Sequence, residues 1–160
     1  MLEIQLLDNS FSNQIVQLIL PIQQEEFKVS VTLEDQPDLL DIEKYYHNTG
    51  GGFWGAIYNG ELVGTIALIG IGNHAGAVRK MFVKEAYRGK ELKIAQQLFD
   101  ELINYCKTHE ITDIYLGTVL QMKAAHRFYE RNGFLQIEKA TLPSSFPLMA
   151  PDNVFYHLTL

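Results

Sequence analysis

The stretch from Val78 to Phe99 constrains the fold most, because it predicts a strand, a basic loop and a helix in direct succession. The apolar run Met81-Phe82-Val83 ends in a polar loop, and helical periodicity begins at Ile94. The loop carries a glycine and three basic residues: Arg88, Gly89, Lys90 and Lys93. A helix start favours phosphate, because its first N–H groups lack internal acceptors and its dipole is positive there. The stretch therefore predicts an anion-binding loop, with a solvated connection carrying ordinary surface charges as the alternative.

The length and composition indicate one compact domain over residues 1–160. Of the 160 residues, 47% are hydrophobic and 20% are charged, which suits a chain with a real core and argues against disorder. The segment MLEIQLLDNS has no basic region typical of a secretory signal, and no apolar run reaches the roughly 18 residues of a membrane helix. The single cysteine, Cys106, cannot form an internal disulfide. We therefore expect a cytoplasmic protein without a membrane partner.

The net charge of −6 is unevenly distributed along the chain. Residues 1–80 hold ten acidic and four basic residues, whereas residues 81–160 hold nine of each. This pattern lacks the basic face of a nucleic-acid-binding protein. Basic residues of the second half cluster near two motifs, at Arg88, Lys90, Lys93, Lys123, Arg127 and Arg131. Such a local excess suits one polyphosphate ligand.

Turn signals and periodicity predict the order β-α-α-β-β-β-α-β-α-β-β. Asn59-Gly60 between two apolar runs is a strong hairpin signal. Pro21 predicts a break or kink between two helical pieces, and a further helix is expected from Gln36-Pro37-Asp38 through Tyr45. A long helix is expected from Ile94 to near His109. The pattern is that of a mixed α/β layer architecture.

A second motif lies in AAHRFYERNGF, from Ala124 to Phe134. Four of its residues fit the pattern A-x-x-x-Y-x-x-x-G-F, namely Ala125, Tyr129, Gly133 and Phe134. Together with Arg88 and Gly89, which fit the start of an R-G-x-G-x-G/A loop, this sequence resembles the GNAT family of N-acetyltransferases. With one extra loop residue, Lys93-Ile94-Ala95 stands where that family has Gly-x-Gly/Ala. The resemblance covers roughly Gly64 to Phe134.

The resemblance implies a mostly antiparallel central sheet flanked by helices, with acetyl-CoA as co-substrate. It also implies that Met81, Phe82 and Val83 bind the pantetheine arm through backbone groups, as an added strand would. The pyrophosphate would be held by two short segments, Arg88-Gly89-Lys90 and Lys93-Ile94-Ala95. Phe128 is expected mainly in the core, beside the same cofactor site.

Tyr129 matches the general acid of that family, which protonates the departing CoA thiolate. A phenol pKa near ~10 suits such donation. The alternative is a packing tyrosine on an amphipathic helix. Where the family often has asparagine, seven residues earlier, this chain has Met122.

The acceptor side is less determined by the sequence. Glu25 and Glu26, in the acidic first half, are candidate bases, with Glu26 the one we assign; solvated surface residues or a water relay are alternatives. The acidic first half predicts a small, cationic amine as acceptor, since clefts of one charge concentrate ligands of the other. No metal site is expected, because the five histidines lack ligand spacing. A Ser-His-Asp site is not indicated either, because no nucleophile elbow is present.

The sequence therefore predicts an N-acetyltransferase that moves an acetyl group from acetyl-CoA to a primary amine. A non-catalytic acyl-CoA-binding sensor on the same fold is the main alternative, and Tyr129 argues for the enzyme. A nucleotide-binding protein is disfavoured, because no GK[ST] follows a glycine loop. The sequence leaves open whether the protein is a monomer or a homodimer, and whether a longer acyl group is used.

Overall fold

The computed structural model describes residues 1–89 and 91–160. Seven strands are formed by the described residues: β1 Leu2–Leu6, β2 Gly52–Tyr58, β3 Glu61–Gly72, β4 Ala75–Val83, β5 Asp113–Thr118, β6 Leu135–Ile137 and β7 Val154–Thr159. The same part of the chain forms four α-helices: α1 Ser12–Pro21, α2 Ile42–Tyr45, α3 Ile94–Thr108 and α4 Lys123–Arg131. The order of strands and helices confirms the predicted one.

The strands form one sheet in the order β1-β2-β3-β4-β5-β7-β6. Neighbouring strands are antiparallel except for β4 and β5, which pair in parallel. The mixed, mostly antiparallel sheet that the resemblance implied is therefore confirmed. The hairpin between β2 and β3 turns at Asn59-Gly60, both of which have positive φ, as the Asn-Gly signal requires.

The helices cover both faces of this sheet with apolar side chains. On one face, Ile94, Leu98 and Leu102 of α3 pack with strand residues such as Ile66. On the other face, α1 and α2 supply Ile15, Ile19 and Ile42, which pack with Phe53. The apolar spacing along α3 therefore buries one side of this helix, as its periodicity predicted.

The first half of the chain differs in detail from the predicted helices. The α-helix continues through Pro21 and is followed by a π-helical segment, Ile22–Glu26, since proline leaves the regular backbone bonding incomplete. The helix expected from Gln36 to Tyr45 is two shorter pieces, a 3-10 helix Pro37–Leu40 and the α2 turn. Asp41 separates them, because its carboxylate accepts a hydrogen bond from the Lys44 amide at 3.2 Å and so begins a new helix.

Three further short 3-10 helices lie beside the strands, at Asn9–Phe11, His47–Thr49 and Lys139–Thr141, and a fourth precedes the basic loop at Glu85–Tyr87. Among the described helices, none is both long enough and apolar enough to cross a bilayer.

Candidate active site

Two adjoining cavities lie at the end of β4, and the smaller one is also lined by residues of β5. Among the described residues these strands pair only from Ala75–Ala77 to Asp113–Tyr115, so the rest of β4 and β5 is free to diverge. The larger cavity has a volume of about 640 Å³ and the smaller one about 100 Å³. Their linings share four side chains: Met81, Phe82, Met122 and Tyr129. A group held in one cavity therefore lies next to the contents of the other.

The larger cavity brings together nine residues that the sequence assigns to the cofactor: Met81, Phe82, Val83, Arg88, Gly89, Lys93, Ile94, Ala95 and Phe128. Lys90, assigned to the same site, lies outside the described residues. The first turn of α3, which begins at Ile94, has amide groups without acceptors inside the helix. One end of the cavity is therefore a helix start with basic side chains, and its middle is apolar.

Lys93 has a left-handed backbone conformation, with φ 51° and ψ 43°. This conformation costs an ordinary residue about 1 kcal/mol or more, whereas glycine adopts it freely. This conformation would suit the glycine that the resemblance predicts at this position. The Lys93 side chain is exposed and contributes to the lining of the larger cavity.

Arg88 is already engaged by an acidic residue beside the larger cavity. Its two terminal nitrogens bind the carboxylate of Glu26, one of them at 2.7 Å, and its Nε donates to the Val83 carbonyl at 2.8 Å. The guanidinium also lies 5.7 Å from the centre of the Phe27 ring. The ion pair therefore links the π-helical segment to the basic loop.

Glu26 does not meet the other predicted catalytic residue in this arrangement. Tyr129 lines both cavities, whereas Glu26 is absent from the described lining of either. Glu25 is exposed on the same segment. The role of Glu26 as a base stays a prediction, and its observed position instead places it with Arg88.

Tyr129 lies on α4 with only 7% of its surface exposed. The rings of Phe134 and Tyr156 each lie 5.7 Å from its own, so its orientation is fixed by packing. Burial, with smaller contributions from the charges of Asp152 and Tyr156, raises the pKa of Tyr129 above its ordinary value. The phenol is therefore protonated at neutral pH, and Tyr129 borders both cavities.

A β-bulge in β4 shapes the smaller cavity. Thr65 pairs with Phe82 and Ala67 pairs with Arg79, so Lys80 and Met81 together oppose a single residue of β3. Lys80 has φ 54°, and its carbonyl accepts a hydrogen bond from the Thr65 hydroxyl at 2.7 Å. Because the bulge interrupts the alternation of the strand, the consecutive residues Arg79 and Lys80 both line the smaller cavity.

Lys80 is buried in a polar network behind this cavity. Its ammonium lies 3.7 Å from the Asp38 carboxylate and also donates to the side-chain oxygen of Gln36. Tyr46 donates to Asp38 at 2.5 Å, and the amides of Gln23 and Gln36 bind each other at 2.9 and 3.1 Å. Burial, opposed by the charge of Asp38, lowers the pKa of Lys80 to about 8. The ammonium therefore has a fixed position and a compensating charge.

Asp152 reaches the smaller cavity from the loop before β7. A Cβ atom at Gly117 would lie 2.7 Å from its Oδ2, so glycine at this position of β5 makes room for the carboxylate. Burial raises the pKa of Asp152 to about 6, although the charges of Arg79 and Lys80 oppose the shift. Asp152 is therefore a carboxylate at neutral pH with an increased affinity for a proton.

The charged residues that line the smaller cavity, Arg79, Lys80 and Asp152, were not predicted from the sequence. In the sequence, Arg79 and Lys80 look like ordinary residues of a strand. The bulge that turns both of them towards one cavity contains no glycine, so the sequence does not indicate it. Asp152 follows Pro151 in a loop and has no motif around it. The one available signal was a pair of consecutive basic residues next to an apolar strand end.

The family model and the curated relatives both match the larger part of this chain. The model of the Acetyltransferase (GNAT) family matches residues 16–134. The N-acetylaspartate synthetase of Danio rerio is 35% identical over 111 residues, which are 66% of this chain and 39% of the relative. That of Homo sapiens is 33% identical over 99 residues, 61% of this chain and 32% of the relative. The chain thus matches well under half the length of these curated relatives.

Solved structures match the whole chain. A GNAT-family acetyltransferase from Staphylococcus aureus Mu50 has a TM-score of 0.96 and 43% identity, with 99% of each chain covered. An acetyltransferase from Streptococcus agalactiae 2603 has a TM-score of 0.94 and 32% identity, with 99% of this chain and 98% of the other covered. The PaiA N-acetyltransferase of Thermoplasma acidophilum, solved with coenzyme A, shares the fold at 18% identity, with a TM-score of 0.77 and 100% and 99% covered. Given the family match over most of its length and the shared fold, the chain belongs to the GNAT family of acetyltransferases.

Proposed function

We propose that this acetyltransferase transfers the acetyl group of acetyl-CoA to the nitrogen of a small amine. The larger cavity holds the donor and the smaller cavity holds the acceptor. The observation that carries this assignment is the position of Tyr129, whose side chain lines both cavities. A proton donor at this junction can serve a leaving group from one cavity while a nucleophile approaches from the other.

The donor side fits the shape and charge of a CoA thioester. A cavity of about 640 Å³ with a mostly apolar lining suits the pantetheine arm. The part of β4 at Met81–Val83 that does not pair with β5 suits strand-like hydrogen bonds to this arm. The start of α3, with Arg88 and Lys93 near it, suits the pyrophosphate. Acetyl-CoA supplies the acetyl group as a thioester, and a family structure has been solved with coenzyme A.

The catalytic role of Tyr129 follows from its buried, protonated phenol. As the amine nitrogen bonds to the acetyl carbon, the carbon–sulfur bond breaks and the sulfur gains negative charge. Tyr129 donates its proton to that sulfur, so a thiol leaves in place of a thiolate. Burial raises the pKa of Tyr129, so the phenol is fully protonated at neutral pH but is a weaker acid than an exposed tyrosine.

The charge of the acceptor is not set by the average charge of the chain. The acidic first half predicts a cationic amine, and this stays a prediction. The described charged side chains that line the smaller cavity are instead Arg79, Lys80 and Asp152. The relatives named N-acetylaspartate synthetase also bring an amino acid into consideration as an acceptor for this chain. The acceptor panel must therefore include both cationic and anionic amines.

The test is an assay of thiol release from acetyl-CoA with a panel of small amines, combined with mass spectrometry of the acetylated product. We expect amine-dependent thiol release for at least one chemical class in the panel. Binding of acetyl-CoA without turnover of any amine would instead support the acyl-CoA sensor. Hydrolysis that does not depend on an added amine serves as the background rate.

A further inference from the structure

We infer that the acceptor carries a carboxylate a few bonds from its amine, with Arg79 binding the carboxylate and Asp152 receiving a proton from the amine. The inference rests on the proposed function and names the substrate class for the same site. The ligand class is that of small amino acids, in which an ammonium and a carboxylate group lie close together.

Arg79 is the cation available for this anion. Its terminal nitrogen donates to the sulfur of Met149 at 2.9 Å, and sulfur is a weak acceptor. Among the described residues, no carboxylate oxygen lies within 4 Å of its guanidinium. The planar guanidinium has five N–H donors, and its geometry matches a carboxylate. A carboxylate in the smaller cavity would therefore give the Arg79 guanidinium a direct ionic partner, in addition to the longer-range influence of Asp152.

Lys80, the other cation of the smaller cavity, differs from Arg79 in its surroundings. Its ammonium is paired with Asp38 and Gln36 behind the cavity, and its side chain is 5% exposed. Because its ammonium is already paired, Lys80 contributes positive charge near the cavity but does not bind the ligand carboxylate directly. The division of roles between two consecutive basic residues follows from the β4 bulge, which turns both towards one cavity.

Asp152 is the complementary group on the other wall. No ion pair to its carboxylate is formed within the described part of the chain, and the space that receives it is created by Gly117. Arg79 and Asp152 are close enough to influence each other electrostatically, yet they form no contact within 4 Å in the described structure. A ligand with both charges can therefore bridge them.

The proton balance of the reaction is complete with these groups. The ammonium gives one proton to Asp152, and the resulting neutral amine forms the nitrogen–carbon bond as the carbon–sulfur bond breaks. Tyr129 gives its proton to the sulfur. When the nitrogen loses its second proton, Tyr129 takes up that proton and is restored. Asp152 later releases its proton to solvent. The net products are an N-acetyl amino acid, a free thiol and one proton.

The first test compares matched acceptors in the thiol-release assay. Each α-amino acid in the set is assayed beside its α-carboxamide and its decarboxylated amine, so that only the carboxylate changes. We expect kcat/KM for the preferred amino acid to exceed that of both analogues by on the order of tenfold to 100-fold, the range of a charge-assisted hydrogen bond. Equal or faster reaction of the amides, decarboxylated amines or polyamines would overturn the inference.

The second test replaces the side chains. Arg79→Gln should raise KM for the amino acid by on the order of tenfold or more, should leave KM for acetyl-CoA nearly unchanged and should remove the discrimination against the amide. Arg79→Lys keeps the charge without the planar fork and should recover part of the loss. Lys107→Gln removes one positive charge from an exposed position at the end of α3 and is the matched control. An equal effect of Arg79→Gln on amino acids and amides contradicts the assignment of Arg79.

Asp152→Asn tests the proton acceptor through the pH profile. The charged and titratable groups that face Asp152 are Arg79 and Lys80 on β4 and Tyr129 on α4. We expect the wild-type kcat/KM to fall as pH decreases through about 6. Asp152→Asn should have a low kcat/KM that does not show this decrease with pH. An unchanged limb in the variant would exclude Asp152 as the proton acceptor.

A binding measurement separates failure of this inference from failure of the proposed function. Amino acids and amides are added to the CoA-bound wild type and Arg79→Gln, and the melting temperature is recorded. If no amine reacts, the proposed function is wrong. Even then, amino acids that raise the melting temperature of wild type but not of Arg79→Gln would support the anion site. Stabilisation by neither ligand, or equally by both, overturns the anion site.

Discussion

The ammonium of Lys80 lies 3.7 Å from the carboxylate of Asp38, and these side chains are only 5% and 9% exposed. Removal of one partner from a buried ion pair leaves an uncompensated charge, which typically costs about 3–5 kcal/mol. We therefore expect Asp38→Asn to lower the free energy of unfolding strongly. The double variant Asp38→Asn with Lys80→Met should lose less than the sum of the two single variants.

Chemical denaturation of the four proteins measures this coupling as a double-mutant cycle. The hydroxyl of Tyr46, which donates to Asp38, gives an additional control. Tyr46→Phe removes one hydrogen bond without leaving a charge, so its cost should be smaller than that of Asp38→Asn. Additive losses in the cycle would show that Lys80 and Asp38 do not stabilise each other.

The ion pair between Glu26 and Arg88 predicts an effect on acetyl-CoA binding. Arg88→Glu should remove most of the increase in melting temperature that acetyl-CoA causes, because the loop loses its positive charge. Glu26→Gln should strengthen acetyl-CoA binding a few-fold at low salt, since a negative charge next to the expected pyrophosphate position is removed. Both effects are measured by thermal shift and calorimetry.

The same Glu26→Gln variant discriminates between two roles of this residue. If Glu26 acts as the base predicted from the sequence, kcat falls; if it only pairs with Arg88, kcat is retained while Kd for acetyl-CoA changes. Glu25→Gln removes an equal charge from the adjacent exposed position and reports on long-range charge effects. We expect the second pattern, because Glu26 binds the guanidinium of Arg88.

Lys93 provides a test of backbone strain. Lys93→Gly should raise the free energy of unfolding by up to about 1 kcal/mol, because glycine adopts the observed φ of 51° without steric cost. Lys93→Ala keeps the strain and removes the charge. Acetyl-CoA binding that weakens equally in both variants would show that the ammonium contacts a phosphate.

The sequence was sufficient for the fold and for most of the residues that line the larger cavity, because both depend on local patterns. Periodicity and the Asn59-Gly60 signal predicted the order of strands and helices, and the basic loop predicted residues that do meet in one cavity. These residues lie close together in the chain, so a strand–loop–helix pattern is enough to place them.

The charged side chains of the smaller cavity and of the network behind it could not be predicted in the same way. Asp38, Lys80 and Asp152 come from distant segments, and a bulge without glycine decides where Lys80 points. The overall charge of residues 1–80 does not show which charged side chains line the smaller cavity, and the cationic acceptor stays a prediction. The described lining includes Arg79, Lys80 and Asp152 but neither Glu25 nor Glu26. Average charge does not report which side chains face a cavity.

Tyr129→Phe tests the proton donor between the two cavities. The variant should bind acetyl-CoA as wild type does, because the ring and its packing against Phe134 and Tyr156 are kept. Turnover should fall by about 10²-fold, the usual range for a general acid. Unchanged turnover at all pH values would mean that another group or water protonates the sulfur, and that Tyr129 serves packing.

The raised pKa of the Asp152 carboxylate makes the free energy of unfolding depend on pH. Burial raises its pKa in the folded protein to about 6, whereas an unfolded aspartate titrates near ~3.9. Between these values the folded state binds more protons, so the free energy of unfolding decreases as pH rises from about 4 to 6. The stability that proton binding by Asp152 contributes is fully present below about pH 4 and is lost above about pH 6.

Asp152→Asn removes this titration without changing the size of the side chain. Relative to wild type, the variant should therefore gain stability on the order of 1–3 kcal/mol between pH 4 and pH 7, the free energy expected from a shift of this size. Urea unfolding at several pH values measures the difference, and the exposed Asp100→Asn is the comparison for general charge effects. A constant difference across this range would show that the Asp152 carboxylate is not held in a desolvated position, which would weaken its assignment as the group that receives the amine proton.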